Sequence, residues 1–168
     1  MFKVGDHVVY GTNGVCLVSD ITPSPFDKND RRTYYVLKPL SGASTSLIYT
    51  PVDNEHVPMR PLLARKEVEA LLDGIGSIPC LTVSEERARK LTYRNAIAAA
   101  EPQAYISLIK TVEGRRADFC GTQRRLPDFE IEYDALARRH LCTELSVVLD
   151  RPLSDVFAYI SECFSLAQ

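Results

Sequence analysis

The tightest constraint on the fold is the close spacing of strand-like runs in the first sixty residues. Phe2 to Tyr10, Val15 to Ile21, Tyr34 to Leu40 and Ser46 to Thr50 are separated by segments rich in Gly, Asn and Pro, the punctuation of strands and turns. Parallel neighbours need crossovers of a dozen or more residues. Here the gaps read as turns instead. Gly11-Thr12-Asn13-Gly14 suits a hairpin, Pro23-Ser24-Pro25 with Asp27 to Asp30 a long polar turn, and Ser41 to Ser44 a tighter one. The expectation is a small, strongly bent, mainly antiparallel sheet or barrel. In its second run Val15, Leu17 and Ile21 alternate with Cys16, Val18 and Asp20, the pattern of a strand with two unlike faces.

After Pro58 and Pro61 the period becomes helical. Leu62, Leu63, Val68, Leu71 and Leu72 fit one amphipathic helix that stops near Asp73-Gly74. Thr82 and Glu85 have capping-box spacing, which predicts a second helix from about Ser84 to Ala100. Pro102 suits the first turn of a third helix through Val112, with Gly114 or Gly121 to end it. A fourth starts near Pro127-Asp128, and Pro152 opens a fifth. None is long enough to hold its shape alone, so their apolar stripes must pack together. The expected fold class is α+β: a small antiparallel β-barrel over 1–60, then a compact all-α domain of about five helices over 61–168.

Charge and cysteine usage exclude several function classes. The formal net charge is −2, and residues 1–60 carry six Lys/Arg against six Asp/Glu, so any nucleic-acid contact must be a local basic stripe. The five cysteines, at 16, 80, 120, 142 and 163, form no C-x-x-C pair. Buried reduced thiols are therefore expected, with no metal site and no cofactor. The chain starts directly in a strand pattern and holds no apolar run of membrane-spanning length, which points to a cytoplasmic protein without membrane contact. Catalysis has little support. His140 and Cys142 are two apart on an expected helix and point in different directions, and Asp128, Glu130, Glu132 and Asp134 read as a helix start favoured by the dipole. No phosphate-cradling G-x-x-x-x-G-K-[ST] loop is present.

In order and wording, Phe2-Lys3-Val4-Gly5-Asp6-His7-Val8-Val9-Tyr10, Gly11 to Val15, Tyr34 to Leu40 and Ile48 to Asn54 resemble the amino-terminal module of the CarD/CdnL family, bacterial transcription regulators that bind RNA polymerase. A related module occurs in the transcription-repair coupling factor. The resemblance implies a Tudor-like barrel that docks on the RNA polymerase β subunit, partly by extending a sheet across the interface. It places the contact edge at Pro23, Ser24, Pro25, Ser46, Leu47, Ile48 and Tyr49. Unpaired strand backbone is a ready template for such pairing. Some relatives carry arginines near the positions of Ser24 and Tyr49, so here an aromatic or hydrogen-bonding contact replaces ion pairing. Barrel edges can also exchange strands between copies, which makes a homodimer a further expected partner.

The resemblance further implies a helical second half that touches promoter DNA beside the open bubble, in many members with a tryptophan wedge. This chain has no tryptophan. Glu86 falls near that position, with Leu81 and Tyr93 as apolar neighbours. Basic residues offer partial compensation: Arg87, Lys90 and Arg94 share a face at helical spacing, Arg89 lies beside them, and Arg124-Arg125 forms a further pair. About four phosphate contacts would give a log–log salt slope near −3.6. Alternating charges nearby also suit a plain solvated face. The functional expectation is a non-enzymatic transcription regulator, held on the polymerase β subunit by its barrel, that modulates open-complex stability through weak upstream DNA contacts. The alternative is a polymerase-bound adaptor whose helical domain contacts another protein.

Overall fold

The computed structural model describes residues 1–27, 29–41 and 46–166, with 165 and 166 described by backbone alone. The expected turn at Ser41 to Ser44 lies mostly outside the described residues, as does Lys28 in the longer one. The chain divides into two compact units, Met1–Leu62 and Leu63–Gln168.

The first unit is a five-stranded antiparallel sheet. Its strands are β1 (His7–Tyr10), β2 (Val15–Pro23), β3 (Thr33–Pro39), β4 (Ile48–Pro51) and β5 (Met59–Pro61), in the spatial order β4-β3-β2-β1-β5. No ladder joins β4 to β5 among the described residues, so these two are the terminal strands. The Gly11–Asn13 segment is a tight 3₁₀ turn between β1 and β2, closed by the Tyr10 N–H donating to the Gly14 carbonyl at 2.9 Å. Gly11 has no substitute there: its φ is +46°, and a Cβ would sit 2.6 Å from the Val57 Cγ1.

Strand β2 does not alternate in one phase from end to end. Val18 pairs with Leu37 and Asp20 with Val36, which leaves Ser19 as an extra residue in a β-bulge. Val8, Tyr10, Cys16, Val18, Tyr35 and Leu37 form the sheet's core, and Ile21 packs against them. Strict alternation from Val18 would have put Asp20 on that face. The bulge sends Asp20 to solvent and returns Ile21 to the core, and the Ser19 hydroxyl anchors it by donating to the Val36 carbonyl at 2.9 Å. Bulges also bend a strand and increase its twist.

The second unit contains α1 (Arg65–Asp73), α2 (Glu86–Ala98), α3 (Pro102–Asp118), α4 (Asp128–Leu149) and α5 (Leu153–Leu166). Leu62 and Leu63 precede α1 rather than belonging to it. The Glu67 carboxylate accepts the Ala64 N–H at 2.6 Å and fixes the helix start there. The expected Thr82–Glu85 capping box does not form. Tertiary contacts hold that segment instead, with the Leu81 N–H donating to Thr111 Oγ1 at 2.7 Å. Helix α3 runs through Gly114 and stops before Gly121, whose φ is +76°. Helix α4 is the central rod, buried along Ala137, Leu141, Cys142 and Leu145 and packed with Tyr93, Ile97, Tyr105, Ile109, Val156 and Ile160. No described helix is long and apolar enough to cross a membrane.

The cysteines depart from expectation. Cys16 and Cys142 are buried, but Cys80 and Cys120 are exposed. Burial pushes the Cys16 thiol up to about 11 and the Cys142 thiol up to about 12, which keeps both protonated and inert.

Candidate functional site

Two surfaces carry the residues singled out by the sequence. The first is the β4 margin of the sheet. Among the described residues strand β4 pairs only with β3, through Ile48 opposite Leu37, Tyr49 opposite Val36, Thr50 opposite Tyr35 and Pro51 opposite Tyr34. Because side chains alternate, Ile48 and Thr50 face the core with Leu37 and Tyr35. Tyr49 stands on the other face above Val36. Tyr49 and Leu47 are exposed, and Ile48 is half-buried. Ser46 and Leu47 precede the strand and belong to no ladder, whereas the sequence pattern began the strand at Ser46.

The turn between β2 and β3 builds the neighbouring surface. Pro23 ends β2 opposite Thr33. The Ser24 N–H donates to the Arg32 carbonyl at 3.1 Å, and the Ser24 hydroxyl accepts the N–H groups of Phe26 and Asp27 at 3.4 Å each. Ser24 therefore shapes the turn, and Pro25 stiffens it. The turn presents Phe26, which is 72% exposed and sits edge-on to two tyrosines, 5.9 Å from the Tyr34 ring and 5.6 Å from the Tyr49 ring. Phe26 was not among the expected contact residues. Its only sequence signal is a lone aromatic residue between Pro25 and Asp27 in an otherwise polar turn.

Beside this aromatic trio the charge is internally balanced. Asp30 accepts from Arg32 Nε at 2.9 Å, from Arg32 Nη2 at 2.8 Å, from the Arg32 N–H at 3.0 Å and from the Tyr34 hydroxyl at 3.0 Å. The Arg32 hydrogen bonds hold the Asp30 carboxyl below the usual carboxylate range, and the same carboxylate raises Arg32. The Arg32 guanidinium also lies 5.7 Å from the Tyr34 ring centroid. The result, among the described residues, is a terminal strand flanked by exposed aromatic surface, with Asp30 and Arg32 paired to each other beside it.

The second surface lies on α2. Arg87, Lys90 and Arg94 are exposed along one face together with Leu91, which is 57% exposed. Arg87 and Arg94 make no ion pair among the described residues, and Lys90 Nζ lies 5.9 Å from the Phe129 ring centroid. Arg124 and Arg125 are exposed in the segment before α4.

Arg89 is corrected by the structure. It points inward, 5% exposed, donating from Nε to Glu130 Oε1 at 3.0 Å and from Nη1 to the Ser84 carbonyl at 2.8 Å. Glu130 Oε2 accepts Arg115 Nε at 2.7 Å. Glu130 and Asp134 are thus not solvated acids at a helix start. Glu130 is fully buried between two guanidiniums, and Asp134 accepts from Arg138 Nε at 3.0 Å and from Arg116 Nη2 at 3.4 Å. Burial raises the Asp134 carboxyl even so, outweighing the arginines. Neither apolar neighbour of the missing tryptophan is available: Tyr93 is fully buried and Leu81 half-buried. His140 is buried against Tyr105, with ring centroids 5.7 Å apart. No group of three or more His, Cys, Asp or Glu residues could hold a metal ion among the described residues.

Residues 2–63 match the family model described as the CarD-like/TRCF RID domain. The match spans the first compact unit and supports a transcription-related role involving interaction with RNA polymerase. No curated protein matches the chain.

Proposed function

We propose, from an amino-terminal unit that matches the CarD-like/TRCF RID domain, that this chain is a non-enzymatic cytoplasmic transcription regulator that docks on the RNA polymerase β subunit through β4. The observation that carries this reading is the terminal position of β4 beside Phe26 and Tyr49. A partner strand added there satisfies free backbone N–H and C=O groups, while the aromatic side chains supply contact area. The self-neutralised Asp30–Arg32 pair fits an interface held by aromatic contact instead of ion pairing. A second copy could use the same margin, so a strand-exchanged homodimer and the polymerase complex exclude each other.

The helical unit then faces upstream promoter DNA through Arg87, Lys90 and Arg94 on α2, with Arg124 and Arg125 as secondary contacts. With Arg89 committed to Glu130, three α2 cations remain, for a salt slope of about −2.7 on duplex DNA. Such binding is weak alone, but tethering to polymerase raises its effective concentration. A factor that prefers the open promoter complex shifts the equilibrium towards it. The exposure of Leu91 amid these cations favours a second reading, in which α2 docks on another protein.

Co-elution with polymerase separates the parts. Tyr49→Glu should abolish it while preserving the fold. The double reversal Arg87→Glu and Lys90→Glu should leave co-elution intact but weaken the low-salt gel shift of the polymerase–promoter complex. Co-elution by Tyr49→Glu at wild-type strength would sink the docking edge. An unchanged gel shift in the double reversal would leave α2 to a protein partner.

A further inference from the structure

A cleft of about 570 Å³ opens between α3, α4 and α5, within the roughly 300–1,000 Å³ range of small-molecule sites. We propose that it binds a small organic anion: a carboxylate or phosphate group carried on a flat apolar body. This inference is independent of the polymerase and DNA reading.

The argument rests on which hydrogen-bonding capacity is left over. Two carboxylates and three guanidiniums line the cleft. Arg138 is committed, with Nε on Asp134 and Nη2 on Glu113, and its guanidinium lies 5.5 Å from the Phe164 ring centroid. These contacts engage both carboxylates, Asp134 through both oxygens and Glu113 through Oε1. Arg116 is held loosely, at 3.3 Å from Glu113 and 3.4 Å from Asp134, the long limit for such bonds. Arg139 is exposed and makes no ion pair among the described residues. Most of the unused capacity is therefore N–H donors of Arg116 and Arg139, and their geometry suits a planar carboxylate or a phosphate. A cation is disfavoured because three guanidiniums face two carboxylates in the lining. The rest of the wall is mostly apolar: Phe157 and Phe164 from α5, Ala135, and Ile131, which is 47% exposed, with Ser161 donating its hydroxyl to the Phe157 carbonyl at 2.8 Å. An aliphatic residue left open on a cleft rim gains from being covered. Charge alone does not use that wall, so the ligand has an apolar body.

The test is calorimetric titration of the full chain with naphthoate, naphthyl phosphate and inorganic phosphate. At least one naphthyl probe should bind saturably, at least tenfold tighter than inorganic phosphate, and which of the two binds identifies the anionic group. Arg139→Ala should weaken that binding by about tenfold, the loss of one charge-assisted contact, with helical circular dichroism unchanged. Phe157→Ala should weaken the naphthyl probe but not inorganic phosphate, and Lys66→Ala, exposed and away from the cleft lining, should leave both affinities as in wild type. No saturable binding of either naphthyl probe up to about 10 mM, where affinity falls below roughly 3 kcal/mol, overturns the proposal. So does equal affinity for inorganic phosphate, or an Arg139→Ala variant that binds like wild type.

Discussion

Glu130 is the residue whose loss the second unit should tolerate least. Its side chain is fully buried and accepts Arg89 Nε at 3.0 Å and Arg115 Nε at 2.7 Å, and Arg89 is itself buried. Truncation to Ala strands the Arg89 guanidinium beside the Ser84 carbonyl as its remaining partner. Arg115, with 27% of its side chain exposed, can turn to water. Breaking a buried pair by removing one partner costs about 3–5 kcal/mol, and nearly all of it should come from Arg89. Two comparisons isolate that cost. Arg115→Ala should lose only about 1.5–3 kcal/mol, as for a charge-assisted hydrogen bond. Glu132→Ala, two residues along and exposed, should stay within about 0.5 kcal/mol of wild type. Urea unfolding followed by helical circular dichroism reads each as a shift in midpoint at constant slope. A Glu130→Ala cost under about 1 kcal/mol would show that the triad is incidental to the packing of α2, α3 and α4.

Three further outcomes follow from the same coordinates. The Thr50 hydroxyl is buried without a partner among the described residues, so Thr50→Val should stabilise the first unit by about 1 kcal/mol; a loss of stability on thermal unfolding would mean that the hydroxyl is satisfied in solution. Burial raises the Asp134 carboxyl in the folded state, so the native chain holds that proton more tightly than the unfolded one. This contribution lowers stability as pH rises from about 4, the unfolded value, through the folded value. Asp134→Asn should remove that decline, and parallel stability–pH curves for the two proteins would refute it. Cys80 and Cys120 are exposed while Cys16 and Cys142 are buried; a thiol reagent should label the first two in the native state and the second two only on unfolding, as mass spectrometry of digests would report.

Fold class was legible because strand spacing and the change of period are local signals. Pro102, Pro127 and Pro152 marked the starts of α3, α4 and α5 closely, since proline's fixed φ and missing N–H confine it to helix beginnings and turns. What remained hidden depends on residues far apart in the chain. Arg89 lies on the exposed stripe by sequence neighbourhood alone, yet its acceptor, Glu130, is 41 positions away. Glu130 likewise looked solvated because the arginines that cover it come from α2 and α3, whereas Asp134 is paired chiefly with Arg138, four residues on in α4 itself. Leu62 and Leu63 fit a helical stripe, but the Glu67 contact to the Ala64 N–H decides where the helix begins. At the β4 margin, the resemblance pointed to Tyr49, which the structure leaves exposed. Phe26 needed coordinates, because only the fold of the turn brings it against Tyr34 and Tyr49.

The extra residue at position 19 has a bearing on how this sheet can vary in length. Removing Ser19 would bring Val18 and Asp20 into ordinary succession and leave Asp20 in solvent and Ile21 inside, because the pairing of both with β3 already skips Ser19. Removing Leu17 instead would invert the inside-outside sense of every residue on one side of the gap. Position 19 is therefore the one place in the core of this strand where a deletion spares the sorting of side chains and takes away only curvature. Homologues one residue shorter here could keep the same interior while aiming the β4 margin along a different line.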